Sequence, residues 1–429
     1  MSSEEPRPVP GEAAPAARSA PAPGAAAGAE GTAAAGDRTA ARLGWLAVAA
    51  LLLAALNLRP AVTSLGPVLE EARAGLGMSA TVAGALTSIP AACFALVGFA
   101  APRLARRHGP ERVIVTGMVA VAVGLALRPM VGATVGFVAL SGVALAGIAV
   151  ANVLLPVVVK QRFPDRVGTM TGVYAMALNV GASTAAAVTV PLAGAFGGDW
   201  RVGLGAWAAL ALVAVPPWLA LARSGTGGGA PATAGGPAAG PGLRRNPTAW
   251  ALALFFGLQA TAAYVIIGWL PQIYRDSGLS AETAGLLFAV TSVLGVPLSF
   301  ALSAVAGRLR NQGGIALAVG VCGLAGYAGL AADPAFAPWL WAVLLGIANC
   351  SFPLALTMIA MRGRDGATVA RLSAFAQSTG YLLAIPGPVL VGALYQHSGG
   401  WRAPLLLMGA LMVAQIGAGL LAGRDRQVG

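Results

Sequence analysis

Charge is scarce in this chain. Only 10% of its 429 residues are Asp, Glu, Lys or Arg, against about a quarter in a soluble domain, and so few cannot cover a water-facing exterior. Histidine occurs twice, at His108 and His397, and cysteine three times, at Cys93, Cys322 and Cys350, without metal-type spacing. An enzyme needs a constellation of His, Asp, Glu or Cys around a cavity, so catalysis, a bound metal and any other cofactor are not expected. The cysteines all fall in apolar stretches, which argues for reduced thiols rather than a disulfide framework.

What the chain has is apolar length. Hydrophobic residues make up 57%, and runs of about 20 residues recur, each long enough at 1.5 Å per residue to cross about 30 Å of hydrocarbon. Twelve spans are expected, near 43 to 66, 80 to 101, 112 to 131, 135 to 158, 168 to 192, 202 to 222, 248 to 270, 282 to 304, 314 to 332, 338 to 360, 370 to 394 and 402 to 422. Residues 1–42 are Ala, Pro and Gly with scattered charges and no apolar stretch fit for a signal sequence, so they read as a disordered tail. "SGTGGGAPATAGGPAAGPG" (224 to 242) has linker composition. The domain order is thus a tail, a six-helix half (43–222), a connector (223–247), a second six-helix half (248–422) and a short tail (423–429).

Basic residues fix an expected orientation, because short loops rich in Lys and Arg stay cytoplasmic. Loops after even-numbered spans hold fifteen of them, including Arg103, Arg106, Lys160, Arg162, Arg166, Arg244 and Arg362, whereas loops after odd-numbered spans hold only Arg73, Arg201, Arg275 and Arg402. Both termini are therefore expected in the cytoplasm. The same distribution accounts for the net charge of +12 as topology and contact with anionic lipid, and argues against nucleic-acid binding.

The halves repeat. Gly77-Met-Ser-Ala-Thr-Val-Ala-Gly84 aligns with Gly278-Leu-Ser-Ala-Glu-Thr-Ala-Gly285, and Trp200-Arg201 with Trp401-Arg402, at a common offset of 201. Two six-span halves related by an axis along the membrane normal place a solute site near the midplane between them. In "LNLRPAVTSLGPVL" (56 to 69) and "GIAVANVLLPVVVKQRFPDRVGTMTGVYAMALNVG" (147 to 181) the chain resembles the major facilitator superfamily, and more narrowly its cyanate and 2-nitroimidazole transporter family. The resemblance implies an all-α carrier that moves a small anionic or polar solute across the cytoplasmic membrane by alternating access, with a possible inner-gate role for the Lys160–Arg166 cluster. Two departures stand out. Arg106 occupies the place of the superfamily's usual Asp after the second span. The antiporter Gly-Pro positions of the fifth span are Ala185 and Ala186, which makes multidrug export a weaker alternative than a nitrate-type anion carrier. A receptor or channel would need a signalling domain or a pore-lining ring, and neither is visible.

Polar residues inside the spans are the candidates for solute contact. Arg59 is costly in lipid and is expected either to snorkel or to face a cavity. With no acidic residue in any span, its partner in a cavity would be an anion or polarised group held in the planar fork. Asn57 and Arg128 are further candidates, with Asn152, Tyr174 and Asn179 in the first half and Gln259, Tyr264, Gln377 and Tyr381 in the second. Each could equally bond helix to helix. Gln259 and Tyr264, five residues apart, do not share a helix face well, so at most one is expected to touch solute. Arg106, Lys160, Arg162 and Arg166 are expected at a cytoplasmic gate. No membrane-buried proton relay is visible, and the chain is expected to work as a monomer in the bilayer.

Overall fold

A computed structural model describes residues 44–224, 243–364 and 366–428. The expected tail, 1–42, and most of the connector lie outside the described residues. Ala47 onward forms one compact unit, and among the described residues its regular elements are all helices.

The first crossing is broken into 44–57 (α1), Pro60–Thr63 (α2) and Leu69–Leu76 (α3), joined through a 3-10 turn at Gly66–Val68. Five crossings complete the first half. They are Ala80–His108 (α4), Pro110–Leu127 (α5), Thr134–Arg162 (α6), Val167–Ala195 (α7), and the sixth, split into Trp200–Gly205 (α8) and Trp207–Arg223 (α9). The second half comprises Pro247–Asp276 (α10), Ala281–Arg308 (α11) and Gly313–Ala332 (α12). Its tenth crossing is Pro338–Asn349 (α13) with Ser351–Arg362 (α14), its eleventh Gly366–Ala384 (α15) with Pro386–Ser398 (α16), and its last Arg402–Ala422 (α17). Among the described residues eleven crossings are long and apolar enough to span a membrane, and α11 adds the shorter apolar stretch Ala281–Gly295.

The first crossing departs from expectation. It was expected to end near 66, yet the helix resumes and runs to Leu76. Glu70, Glu71 and Arg73 read as loop residues by hydropathy, but they decorate one side of a helix whose other side buries Leu69, Ala72 and Leu76. The break in the middle has a covalent cause. Pro60 has no N–H to give and its ring collides with the carbonyl one turn back.

The repeat is visible as paired local structures. Gly77 and Gly278 both take positive φ, at 61° and 94°, a backbone conformation open to glycine and strained for other residues. Two residues on, the hydroxyls of Ser79 and Ser280 each cap a helix N-terminus by accepting from Val82 N and Thr283 N, both at 3.2 Å. At the other end of the bundle Arg162 pairs with Glu111 at 3.1 Å, while Arg362, 200 residues on, bonds Gln312. The place of Glu111 is taken by the neutral Gln312, and Arg362 finds its carboxylate at Asp425 instead, 3.9 Å away.

The halves meet at the end away from the connector, here called the far end. Gly84 in α4 lies against the carbonyl of Pro388 in α16, leaving no room for a Cβ, and a Cβ on Gly285 in α11 would come within 2.7 Å of the Ala186 carbonyl in α7. Small residues let helix backbones approach closely in a membrane, and these two contacts are images of each other under the repeat. Polar contacts reinforce them. Arg275 reaches Glu71 at 2.8 Å and the Pro67 carbonyl at 3.3 Å, and Thr81 donates to Gln396 at 2.9 Å. A buried apolar cluster containing Leu65, Leu86, Trp200, Ile267, Trp269 and Phe288 joins both halves toward this end.

Candidate functional site between the halves

Five side chains converge at mid-depth, where the broken first crossing faces the second half. The guanidinium of Arg59, at the start of α2, lies close enough to the hydroxyls of Tyr264 in α10 and Tyr381 in α15 to interact with both electrostatically. Phe94 of α4 stacks on Tyr381 across the interface, with ring centroids 5.2 Å apart and planes 22° apart. Phe256 meets the same tyrosine edge-on at 5.0 Å. Arg59 is the sixteenth residue of the 33-residue first span, so the run on to Leu76 sets it near the middle of the crossing. It is partly exposed. Among the described residues it takes part in no ion pair and its side chain makes no hydrogen bond. A planar fork with unused N–H groups, flanked by two phenols and an aromatic face, suits a small solute with a carboxylate-like or nitro-like end and a flat body.

The other expected contacts are distributed differently. Asn57 is 1% exposed and its amide donates to Leu53 O at 2.8 Å and to Leu210 O at 3.1 Å, joining α1 to α9 inside the first half. Arg128 is likewise 1% exposed and donates to Ala61 O at 2.9 Å. Gln259 turns into the second half, where it lines a small cavity with Tyr327, Asn349 and Gln415. Tyr264, five residues on, is buried and within electrostatic reach of Arg59. Asn152, Tyr174, Asn179 and Gln377 are half-buried and lie between the connector end and the depth of Arg59. Gln377 bonds Ser373 at 2.7 Å, and the side-chain oxygen of Asn179 faces Gly295 of α11.

Of the residues expected at a gate, Arg106, Lys160 and Arg166 are exposed at the connector end. Arg162 is drawn into the Glu111 pair within its own half. Sequence reasoning passed over the far-end contacts. Glu71 and Arg275 looked like unrelated loop charges, and only the continuation of the first crossing through α3 brings them together. Phe94 had no signal beyond being an aromatic residue in the second span.

A profile described as the Major Facilitator Superfamily matches residues 45–347. The chain belongs to the major facilitator superfamily. Its relatives include an uncharacterized transporter, YycB, of Bacillus subtilis, 35% identical over 90% of this chain and 94% of the relative. The 2-nitroimidazole transporter of Escherichia coli is 33% identical over 89% and 96%, and the cyanate transport protein CynX of the same species 28% identical over 85% and 94%. Among solved structures, an inward-facing, unoccupied bacterial homolog of the human lysosomal transporter Spinster superposes with a TM-score of 0.72, covering 90% of this chain and 98% of that one at 15% identity. The molecule is a multi-pass membrane protein and a transporter of small solutes in this superfamily, not an enzyme.

Proposed function

We propose that this superfamily member carries a small anionic or nitro-substituted planar solute, held at mid-membrane by Arg59 between Tyr264 and Tyr381, through alternating access of the two halves. The observation that carries the reading is the partly exposed guanidinium that, among the described residues, no carboxylate neutralises, within electrostatic reach of two tyrosines of the other half. Cyanate and 2-nitroimidazole, named for the relatives at 28% and 33% identity, both fit a fork plus an aromatic wall. Closure of the far end by the paired glycine contacts and the Glu71–Arg275 bridge leaves the solute its route at the connector end. The excess of basic residues there supports a cytoplasmic assignment for that end and for both termini, in the cytoplasmic membrane. On this reading the structure is an inward-facing state, and the working unit is the monomer.

The test is transport by purified protein in liposomes, with cyanate, nitrate and 2-nitroimidazole as trial solutes. Arg59→Ala is expected to lower the transport rate at least about a hundredfold, and Arg59→Lys, which keeps charge but loses the fork, about tenfold or more. Wild-type rates in Arg59→Ala, at equal incorporation, would reject the assignment.

A further inference from the structure

Arg128 raises a separate question. It opens the 3-10 turn Arg128–Met130 at the end of α5, is 1% exposed, and among the described residues its Nε and Nη2 have no partner. A buried guanidinium without a carboxylate is expensive in a membrane interior. Its guanidinium bonds through Nη1 to the carbonyl of Ala61 at 2.9 Å and lies over the Phe137 ring, 5.8 Å from its central carbon. Ala61 belongs to α2, two residues after Arg59.

That short helix needs an outside anchor. Four residues cannot repay the entropy of helix nucleation, and Pro60 has cut α2 off from the hydrogen-bond ladder of α1. Its own bonds begin at Arg59, whose carbonyl takes Val62 N, Thr63 N and the Thr63 hydroxyl at 3.0 to 3.1 Å. The direction in which Arg59 leaves the backbone is therefore set where α2 starts, and Arg128 grips α2 one residue beyond the proline.

We propose that Arg128 is a positioning residue that clamps the unwound segment of the first crossing through the Ala61 carbonyl and so aims Arg59 into the space between the halves. The inference rests on the reading of Arg59 as the solute-binding group, but its test needs no solute. In a background with Cys93, Cys322 and Cys350 replaced by alanine, a single thiol is introduced by Arg59→Cys. Its modification by a cationic methanethiosulfonate reagent is timed in detergent-purified protein, with Ser373→Cys in α15 as the control thiol. Adding Arg128→Met is expected to slow modification at position 59 at least about tenfold while the control rate stays within about twofold, because a displacement on the order of 1 Å suffices for such changes. Arg128→Lys keeps one donor for Ala61 and is expected to restore the rate at position 59 to within about threefold of the parent. Should Arg128→Met fail to purify, Phe137→Leu carries the test. It leaves the guanidinium but removes the ring beneath it, and is expected to slow modification about threefold or more. An unchanged rate at position 59 in Arg128→Met, or in Phe137→Leu where that variant stands in, overturns the proposal. Loss of transport in Arg59→Ala is a separate result and bears only on the solute assignment.

Discussion

Asn57 and Arg59 are two residues apart and do opposite things. Asn57 closes α1 and Arg59 lies in the turn before α2, so the chain leaves the helical register between them. Asn57 looks inward to the Leu210 carbonyl, and Arg59 outward to the second half. The sequence singles out both, because any polar group in an apolar run is conspicuous. It does not show which one faces the partner half, because Pro60 breaks the helix and resets the rotation from that point on. Asn57→Ala should lower the stability of the purified protein by about 1 kcal/mol, the usual scale of an interhelical hydrogen bond, while solute affinity stays within about threefold. Thermal unfolding and equilibrium binding, measured on the same preparation, check the two halves of that expectation. Arg128 shows the same limit: burial and a backbone partner decide its role, and neither can be read from the run of letters around it.

Among the elements, hydropathy locates the crossings well because each must supply enough apolar length to span hydrocarbon, and it misses their ends because polar residues can continue a helix past the lipid. The stretch Leu69–Leu76 is the case that matters, since it delivers Glu71 to Arg275. This bridge is partly exposed, with side chains 21% and 34% accessible, so it should contribute no more than about 1 kcal/mol to far-end closure. Glu71→Gln should accordingly shift the balance toward far-end opening by up to about fivefold. Disulfide formation between Thr81→Cys and Gln396→Cys, whose wild-type side chains touch at 2.9 Å, reports the closed fraction and should fall in step. Arg362 is an element-scale device of a different kind. Its Nε and Nη2 cap the C-terminus of α17 at Ala422 O and Gly423 O, at 3.2 and 2.8 Å, a site where the helix dipole favours a cation. Arg362→Met strands those carbonyls and the Gln312 side chain, and should cost about 1–3 kcal/mol in thermal or denaturant unfolding.

For the molecule as a whole, the offset of 201 residues visible in the sequence becomes a symmetry of contacts. Ser79 and Ser280 cap equivalent helices, Gly84 and Gly285 make equivalent crossings between the halves, and Arg162 and Arg362 hold equivalent latches. Symmetry stops at the solute level, where Arg59 has no counterpart: the corresponding position in the second half carries no charge. On the proposed reading, a symmetric frame with a one-sided cation would let either half rock past a solute anchored to one of them. This difference is legible in the sequence as a charge without a repeat, whereas Tyr264 and Tyr381, though candidates there, are not set apart from the other polar span residues, each of which could equally bond helix to helix. The most direct measurement is a thermal-shift titration of purified protein with cyanate, nitrate and 2-nitroimidazole, comparing wild type with Arg59→Ala. Concentration-dependent stabilisation of the wild type by at least one of these solutes, and of Arg59→Ala by none, is expected; equal stabilisation of both proteins would overturn the assignment of Arg59 to the solute.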